Sequence, residues 1–252
     1  MNVLWLDKYE RQARLVPGLF AVLPIPITVT ALGFGRVPVI SAVVSLLSLM
    51  GGPVLLADTV RRMGRKAERE LWTAWGGAPT TLALRLREAT ANTIQREHWR
   101  NAIQKVTDIK LESARSEAAN PARSDQAIET AVSTLREVTR DSRRFYMVQA
   151  ENMSYGRQRN LYGSRIVGRL IAIASVLVII GFALWPLING QHPIFQTAYI
   201  LGFILDALIL ICWYLLPSSG QVRAAGDKYA YQLLQAAVTL ATATPQGPAP
   251  SP

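Results

Sequence analysis

The chain has 252 residues, half of them hydrophobic, and a formal net charge of +10. One cysteine and two histidines exclude an internal disulfide and a cysteine-based metal site, and strong basic charge beside so much apolar sequence excludes a uniform globular domain. The charge is segregated: residues 58–165 hold 20 of the 27 Lys/Arg and 13 of the 17 Asp/Glu, a local net charge of +7, and the rest has a membrane composition.

The leader Met1–Arg14 clusters Val3, Leu4, Leu6 and Tyr9, with Trp5 nearby. It reads as an amphipathic interfacial helix or as the first part of a spanning helix. Asp7 and Glu10, and the lack of a small-residue cleavage site, argue against a cleaved signal peptide. Four apolar segments follow along the chain: Leu15–Phe34, Val37–Ala57, Ile166–Asn189 and Ile194–Leu216. Each is close to the ~20 residues that a helix needs to cross the hydrocarbon core. Pro17, Pro24 and Pro26 predict a kinked or broken first span, serving as plain structure or as a gate. Gly51-Gly52-Pro53 predicts a second bend.

Asp58–Trp75 continues as helix, with Asp58 as its cap and Arg61, Arg62, Arg65, Lys66 and Arg69 at helical spacing. That stripe faces headgroups or binds anions. Gly76-Gly77 ends the helix, Pro79 prevents its resumption, and Thr80 or Thr81 caps the next one. Trp72 and Trp75 share a face, as core packing or as a stacking platform. A capped helix start with a free hydroxyl, followed by Arg85 and Arg87, also suits a phosphate. Asn92–Asp108 reads as helix with Ile94, Trp99, Ile103 and Val106 buried. Residues 116–124 read as a loop. Asp125–Asp141 is an amphipathic helix with Ala127, Ile128, Ala131, Leu135 and Val138 inward. No convincing period-2 strand appears.

Arg144–Arg165 joins this basic module to the third apolar segment with no Pro or Gly/Ser linker. Tyr146, Tyr155, Tyr162, Asn152, Asn160, Arg157 and Arg159 make it either a polar recognition surface or an interfacial collar. Arg169 can snorkel to the inner interface, and Trp185-Pro186 marks the far side. Asp206 is a carboxylate in the middle of the fourth span, a position that costs about 2.5–3.5 kcal/mol on insertion scales and needs a partner or water. It reads as a pore or functional residue, or as a protonated side chain bonding to backbone. Ser218–Ala243 is a sparsely charged helix with Val222, Tyr229, Leu233, Ala236 and Leu240 in roughly heptad spacing, for which self-association is one solution. The Pro-rich end, 244–252, reads as disordered.

Lys/Arg placement puts both termini and the centre on the cytoplasmic side. The expected fold is therefore an all-α integral membrane protein. It has four transmembrane helices in two hairpins around a helical cytosolic module, divided as 1–57, 58–165, 166–216 and 217–252. No phosphate-binding loop, dinucleotide fingerprint or metal-ligand cluster is present, and His98 has no matching nucleophile, so no enzyme and no cofactor are expected.

Trp75-Gly-Gly-Ala-Pro-Thr-Thr81 with Arg85, and Glu151-Asn-Met-Ser-Tyr-Gly-Arg-Gln-Arg-Asn160, resemble motifs of the membrane effectors of the two-gene anti-phage defence system Hailong. The second motif there resembles E-N-x-x-Y-G-F-R-R-N; here Arg157 replaces an aromatic residue and Gln158 an arginine. The resemblance covers the cytosolic module and its junctions, and the spans only by position. It implies an oligomeric channel in the bacterial inner membrane, a tetramer by expectation. A nucleotide or short single-stranded oligonucleotide made by a partner nucleotidyltransferase would control it, closing the channel when bound. The ligand residues expected are Trp75, Thr80, Thr81, Arg85, Arg87, Asn152, Tyr155, Arg157, Arg159 and Asn160, with Asp206 in the membrane. The alternative is a membrane-anchored scaffold that binds anionic lipid or a cytosolic partner. A small-solute transporter fits less well, because the spans are poor in polar residues.

Overall fold

The structure, a computed structural model, describes residues 8–34, 37–38, 52–89 and 92–243. The first half of the leader, most of the expected second span Val37–Ala57 and the Pro-rich tail lie outside these residues. Every regular element described is helical, and among the described residues three stretches are long and apolar enough to cross a membrane: Arg11–Ala31, Tyr146–Asn189 and Thr197–Leu215.

The first stretch is segmented as the prolines require. A π-helical turn, Arg11–Leu15, leads into α1 (Val16–Val22) and then α2 (Pro24–Ala31). Pro17 and Pro24 each sit in the first turn of their helix, where the missing N–H is tolerated. The break falls at Leu23, whose backbone stays helical, so the chain is interrupted without unwinding.

Helix α3 (Gly52–Trp75) buries Ala57, Val60, Gly64, Ala67 and Leu71, a stripe at helical spacing. Asp58 does not cap it: the residue lies inside the helix and pairs with Arg62 at 3.1 Å. At the end, the Gly77 N–H bonds to the Trp72 carbonyl and that of Gly76 to Thr73, with Gly76 at φ +80°. This paired closure needs a left-handed residue, which glycine adopts freely. Helix α4 (Pro79–Leu84) is capped by extended Ala78 with Pro79 in the first turn, so Thr80 and Thr81 are not caps but buried side chains.

Helix α5 (Thr93–Thr107) starts at Asn92, whose side chain accepts from the Gln95 N–H at 2.9 Å. Its buried face keeps Ile103 from the expected one but otherwise consists of Arg96, Arg100 and Ala102; Trp99 and Val106 are half-buried and Ile94 is 80% exposed. The expected loop at 116–124 is mostly helical. It comprises α6 (Ala114–Ala119) and the start of α7 (Pro121–Val138), with Asn120 ending one helix and capping the next through Arg123 N–H. Helices α4, α5 and α6 all pack on α7.

Helix α8 (Tyr146–Leu184) runs 39 residues without a break, as the lack of a linker requires, and closes in the 3-10 turn Trp185–Asn189. After α9 (Thr197–Leu215), α10 (Ser219–Thr242) completes the described chain.

The chain forms two compact units. Unit 1 comprises Met1–Arg69 and Gly156–Val222, and unit 2 comprises Glu70–Tyr155 and Arg223–Pro252. Residues 58–69 and 156–165, grouped by charge with the polar module, lie in unit 1 by contact. In unit 1, α9 packs along α2, and Ala21, Ile209 and Trp213 form a core with Phe20, Ile27 and Leu161. In unit 2, α10 buries Tyr229, Leu233, Leu234 and Ala237. Tyr229 stacks parallel on Tyr155 at 6.3 Å, and Tyr231 meets Trp99 edge-on at 5.7 Å. Part of the face for which self-association offered a partner is thus covered by the chain itself.

Candidate functional site

In unit 2 the chain after α4 leaves the helix at extended Arg85 and bends over residues 86–88, and charges hold it there. Glu117, 1% exposed, accepts from the backbone N–H groups of Leu86 and Arg87, each at 3.1 Å, and from Arg87 Nη1 at 3.0 Å. Asp125 takes Arg85 Nε and Nη2 at 2.8 and 2.9 Å and Arg87 Nη2 at 2.7 and 2.8 Å. From α5, Arg96 Nη1 donates to the carbonyls of Arg85 and Glu88, both at 2.7 Å, and Arg100 donates to those of Leu84 and Glu112. Burial pushes the Glu117 carboxyl up, but the two N–H donors and Arg87 outweigh it and hold it below the usual range. Asp125 is likewise raised by burial and lowered further by Arg85 and Arg87, with a net fall. Burial lowers Arg85, but Asp125 and Glu88 more than compensate and its pKa rises; Arg100 falls through burial and the nearby Arg96.

This cage gives several expected ligand residues another task. Arg85 is enclosed and paired with Asp125 and Glu88, and Arg87 with Asp125 and Glu117, so a phosphate would have to displace a carboxylate from either. Gly77 lets the Arg85 guanidinium approach: a Cβ there would lie 2.9 Å from Nη2. Trp75 is half-buried under the Arg223 guanidinium, 5.2 Å from its ring centre. Tyr155 accepts from Trp72 Nε1 at 3.0 Å and is buried against Tyr229. Asn152 is half-buried. A cavity of about 350 Å³ opens between α5 and α10, lined by Asn92, Gln95, His98, Trp99 and Gln235.

In unit 1 the second half of the Glu151–Asn160 motif makes a helix crossing. Asn160, fully buried, donates Nδ2 to the Ala13 carbonyl at 2.6 Å in the π-helical turn, and its side chain lies directly on Gly64. Gly163 meets the same place: a Cβ on it would sit 2.7 Å from the Gly64 backbone. Gly156 leaves room for the Tyr9 hydroxyl, and Arg159 pairs with Glu68 at 2.8 Å. Such close approach through small residues is how helices associate in lipid, where burial of apolar surface gives no drive. Asn160 is therefore placed as a packing and bonding residue with no surface for a ligand. Arg157, by contrast, is exposed.

Asp206 is fully buried on the face of α9 that also carries Gly202, Ile209 and Trp213. Its Oδ2 accepts from Thr28 Oγ1 at 2.8 Å, in the helix that begins at the proline break. Its Oδ1 is enclosed with no partner among the described residues.

The residues missed in the sequence are mostly the counter-charges: Glu117, Asp125, Arg96, Arg100 and Glu68. Arg96 and Arg100 carried a signal, since they lie i, i+4 and share a face with Ile103 at i+7. Glu117 and Glu68 carried none. Comparison of the chain with protein-family models, with curated proteins and with solved structures finds no match.

Proposed function

We propose that the chain is an ion-conducting membrane effector of the Hailong type, with four spans in two hairpins and cytoplasmic termini in a bacterial inner membrane. It works as a homo-oligomer and is controlled by a nucleotide or short oligonucleotide at its polar module. The observation that carries this reading is Asp206: a carboxylate enclosed at hydrocarbon depth, bonded to Thr28 of a proline-broken helix, with one oxygen unmatched among the described residues. Intramembrane carboxylates are costly and are characteristic of ion paths. In the resting chain the Thr28–Asp206 bond ties α9 to the first span. Conduction breaks this bond and turns the carboxylate toward water, so a ring of carboxylates belongs to the open form only.

Two further observations support the proposal. Leu56 of α3 packs on Gly18, whereas Phe34 sits edge-on to Phe182 at 5.8 Å. Phe34 and Leu56 thus lie toward opposite ends of the first span, which is compatible with a crossing within Val37–Ala57. The cavity at Trp99 offers an aromatic ring, amides and an imidazole, with no Asp, Glu, Lys or Arg in its lining, which suits a base better than a phosphate. The scaffold alternative draws on exposed Arg62, Arg65 and Lys66 of α3.

The test is cation efflux from proteoliposomes containing the parent, Asp206→Asn or Thr28→Val. Asn keeps the hydrogen-bonding shape and removes the charge. Reduced flux in Asp206→Asn, with assembly unchanged, and raised resting flux in Thr28→Val are expected. Parent-like flux in both makes the pair structural and refutes the ion-path reading.

A further inference from the structure

Arg165 and Arg169 lie one helical turn apart on α8, at the start of its apolar part. After Arg169 no Asp, Glu, Lys or Arg occurs until Asp206. Both guanidinium groups are held in the same way, by one carbonyl and one tyrosine ring. Arg165 donates to the Tyr162 carbonyl at 2.6 Å with its guanidinium 3.6 Å from the Tyr162 ring centre. Arg169 donates to the Trp213 carbonyl at 3.1 Å and lies 4.3 Å from the Tyr214 ring centre. Neither has a carboxylate partner among the described residues. Their remaining N–H groups are not enclosed. Stacking fixes the plane of a guanidinium, so the outward N–H groups form a pre-oriented fork, and residues at i, i+4 stand about 6 Å apart, close enough to share one phosphate.

Directly beside this pair runs an apolar stripe. Ile166, Leu170 and Leu177 are 59%, 61% and 61% exposed and share one side of the helix, each arginine preceding one of the first two by a single residue. We propose that this is a binding site for an anionic glycerophospholipid: Arg165 and Arg169 hold the headgroup phosphate, and an acyl chain follows Ile166, Leu170 and Leu177. The proposal rests on the membrane reading above. It differs from general attraction to an anionic surface, because Arg65 and Lys66 of α3, also exposed, stack on no ring among the described residues.

The experiment is native mass spectrometry of the detergent-purified chain offered phosphatidylglycerol or phosphatidylcholine. The parent is expected to retain phosphatidylglycerol preferentially. R165Q/R169Q should retain it roughly 25-fold less, from about fivefold for each arginine. R140Q, an exposed arginine far along the polar chain, should match the parent. R165K/R169K keeps both charges without the planar forks and is expected to fall between, and it stands in should the Gln pair misfold. Equal retention by the parent and the Gln pair, or parent-level retention by the Lys pair, overturns the site. Complete displacement by glycerol 3-phosphate overturns the acyl-chain half and assigns the arginines to a soluble phosphate. Carbonate extraction of the parent from membranes is the separate control: a parent that washes off refutes the membrane reading and not the site alone.

Discussion

Replacing Glu117 with Ala removes three contacts at once. The N–H groups of Leu86 and Arg87, both 3.1 Å from its carboxylate, lose their acceptor where the carboxylate was 1% exposed, and Arg87 loses one of its two acidic partners. Each buried donor left unmade costs about 1–3 kcal/mol, and breaking a buried pair costs about 3–5 kcal/mol. Because Arg87 keeps Asp125, the lower end applies, and a loss of about 3 kcal/mol is expected for residues 84–89. Backbone hydrogen exchange, corrected for intrinsic rates, reads this locally as roughly 100-fold faster exchange of that stretch. The pH dependence has a definite sign. The folded pKa values of Glu117 and Asp125 lie below their unfolded ones, so their contribution is complete above the unfolded carboxylate pKa of about 4. It is lost as pH falls through the lower folded values. Protection of the parent segment should hold from neutral pH to about 4 and decay below it, with a shallower acid limb in Glu117→Ala. Exchange within threefold of the parent at neutral pH, or loss of parental protection between pH 8 and 6, would refute the cage as the source of order.

Two further outcomes are expected in unit 1. Gly163→Val forces a side chain against Gly64 backbone that cannot swing aside and should cost about 1–3 kcal/mol, seen as earlier thermal aggregation in detergent. Gly181→Ala, with nothing within 4 Å, should behave as the parent, and equal behaviour of the two variants would refute the crossing. A double-mutant cycle on Arg159→Gln and Glu68→Gln should give a coupling of about 0.5–3 kcal/mol, because both side chains are largely buried; additive losses would show the pair to be incidental.

The helical class, the proline break, the glycine stop after Trp75 and the uninterrupted run from Arg144 into the third apolar segment were all legible in the sequence. Each rests on a local rule: residue pattern, a missing N–H, a positive φ or the absence of a breaker. What was not legible depends on contacts distant in the chain. Arg85 and Arg87 read as phosphate ligands because Asp125, 38 to 40 residues on, cannot be paired with them from spacing. Asn160 read as a recognition residue because nothing in the sequence announces that Gly64 meets it and Gly163. The buried face of α5 was misphased because Arg96 and Arg100 were counted as polar, although their guanidinium groups are satisfied by carbonyls inside the fold.

The crossing on α8 also governs which sequence changes the chain can absorb. Gly156, Asn160, Gly163 and Gly168 recur every three to five residues, and their neighbours Tyr9, Ala13, Gly64 and Trp213 come from other parts of unit 1. Inserting one residue among them rotates everything downstream by about 100° and lifts it by about 1.5 Å, so that no small residue meets its counterpart. Substitution at the outward positions disturbs none of these meetings. Arg157 and Gln158, where this chain departs from the motif it resembles, are both off that face: one exposed, the other half-buried. Descendants of this sequence should therefore vary freely in letters at 157 and 158 while the distance from 156 to 168 stays constant, a constraint on length rather than on identity.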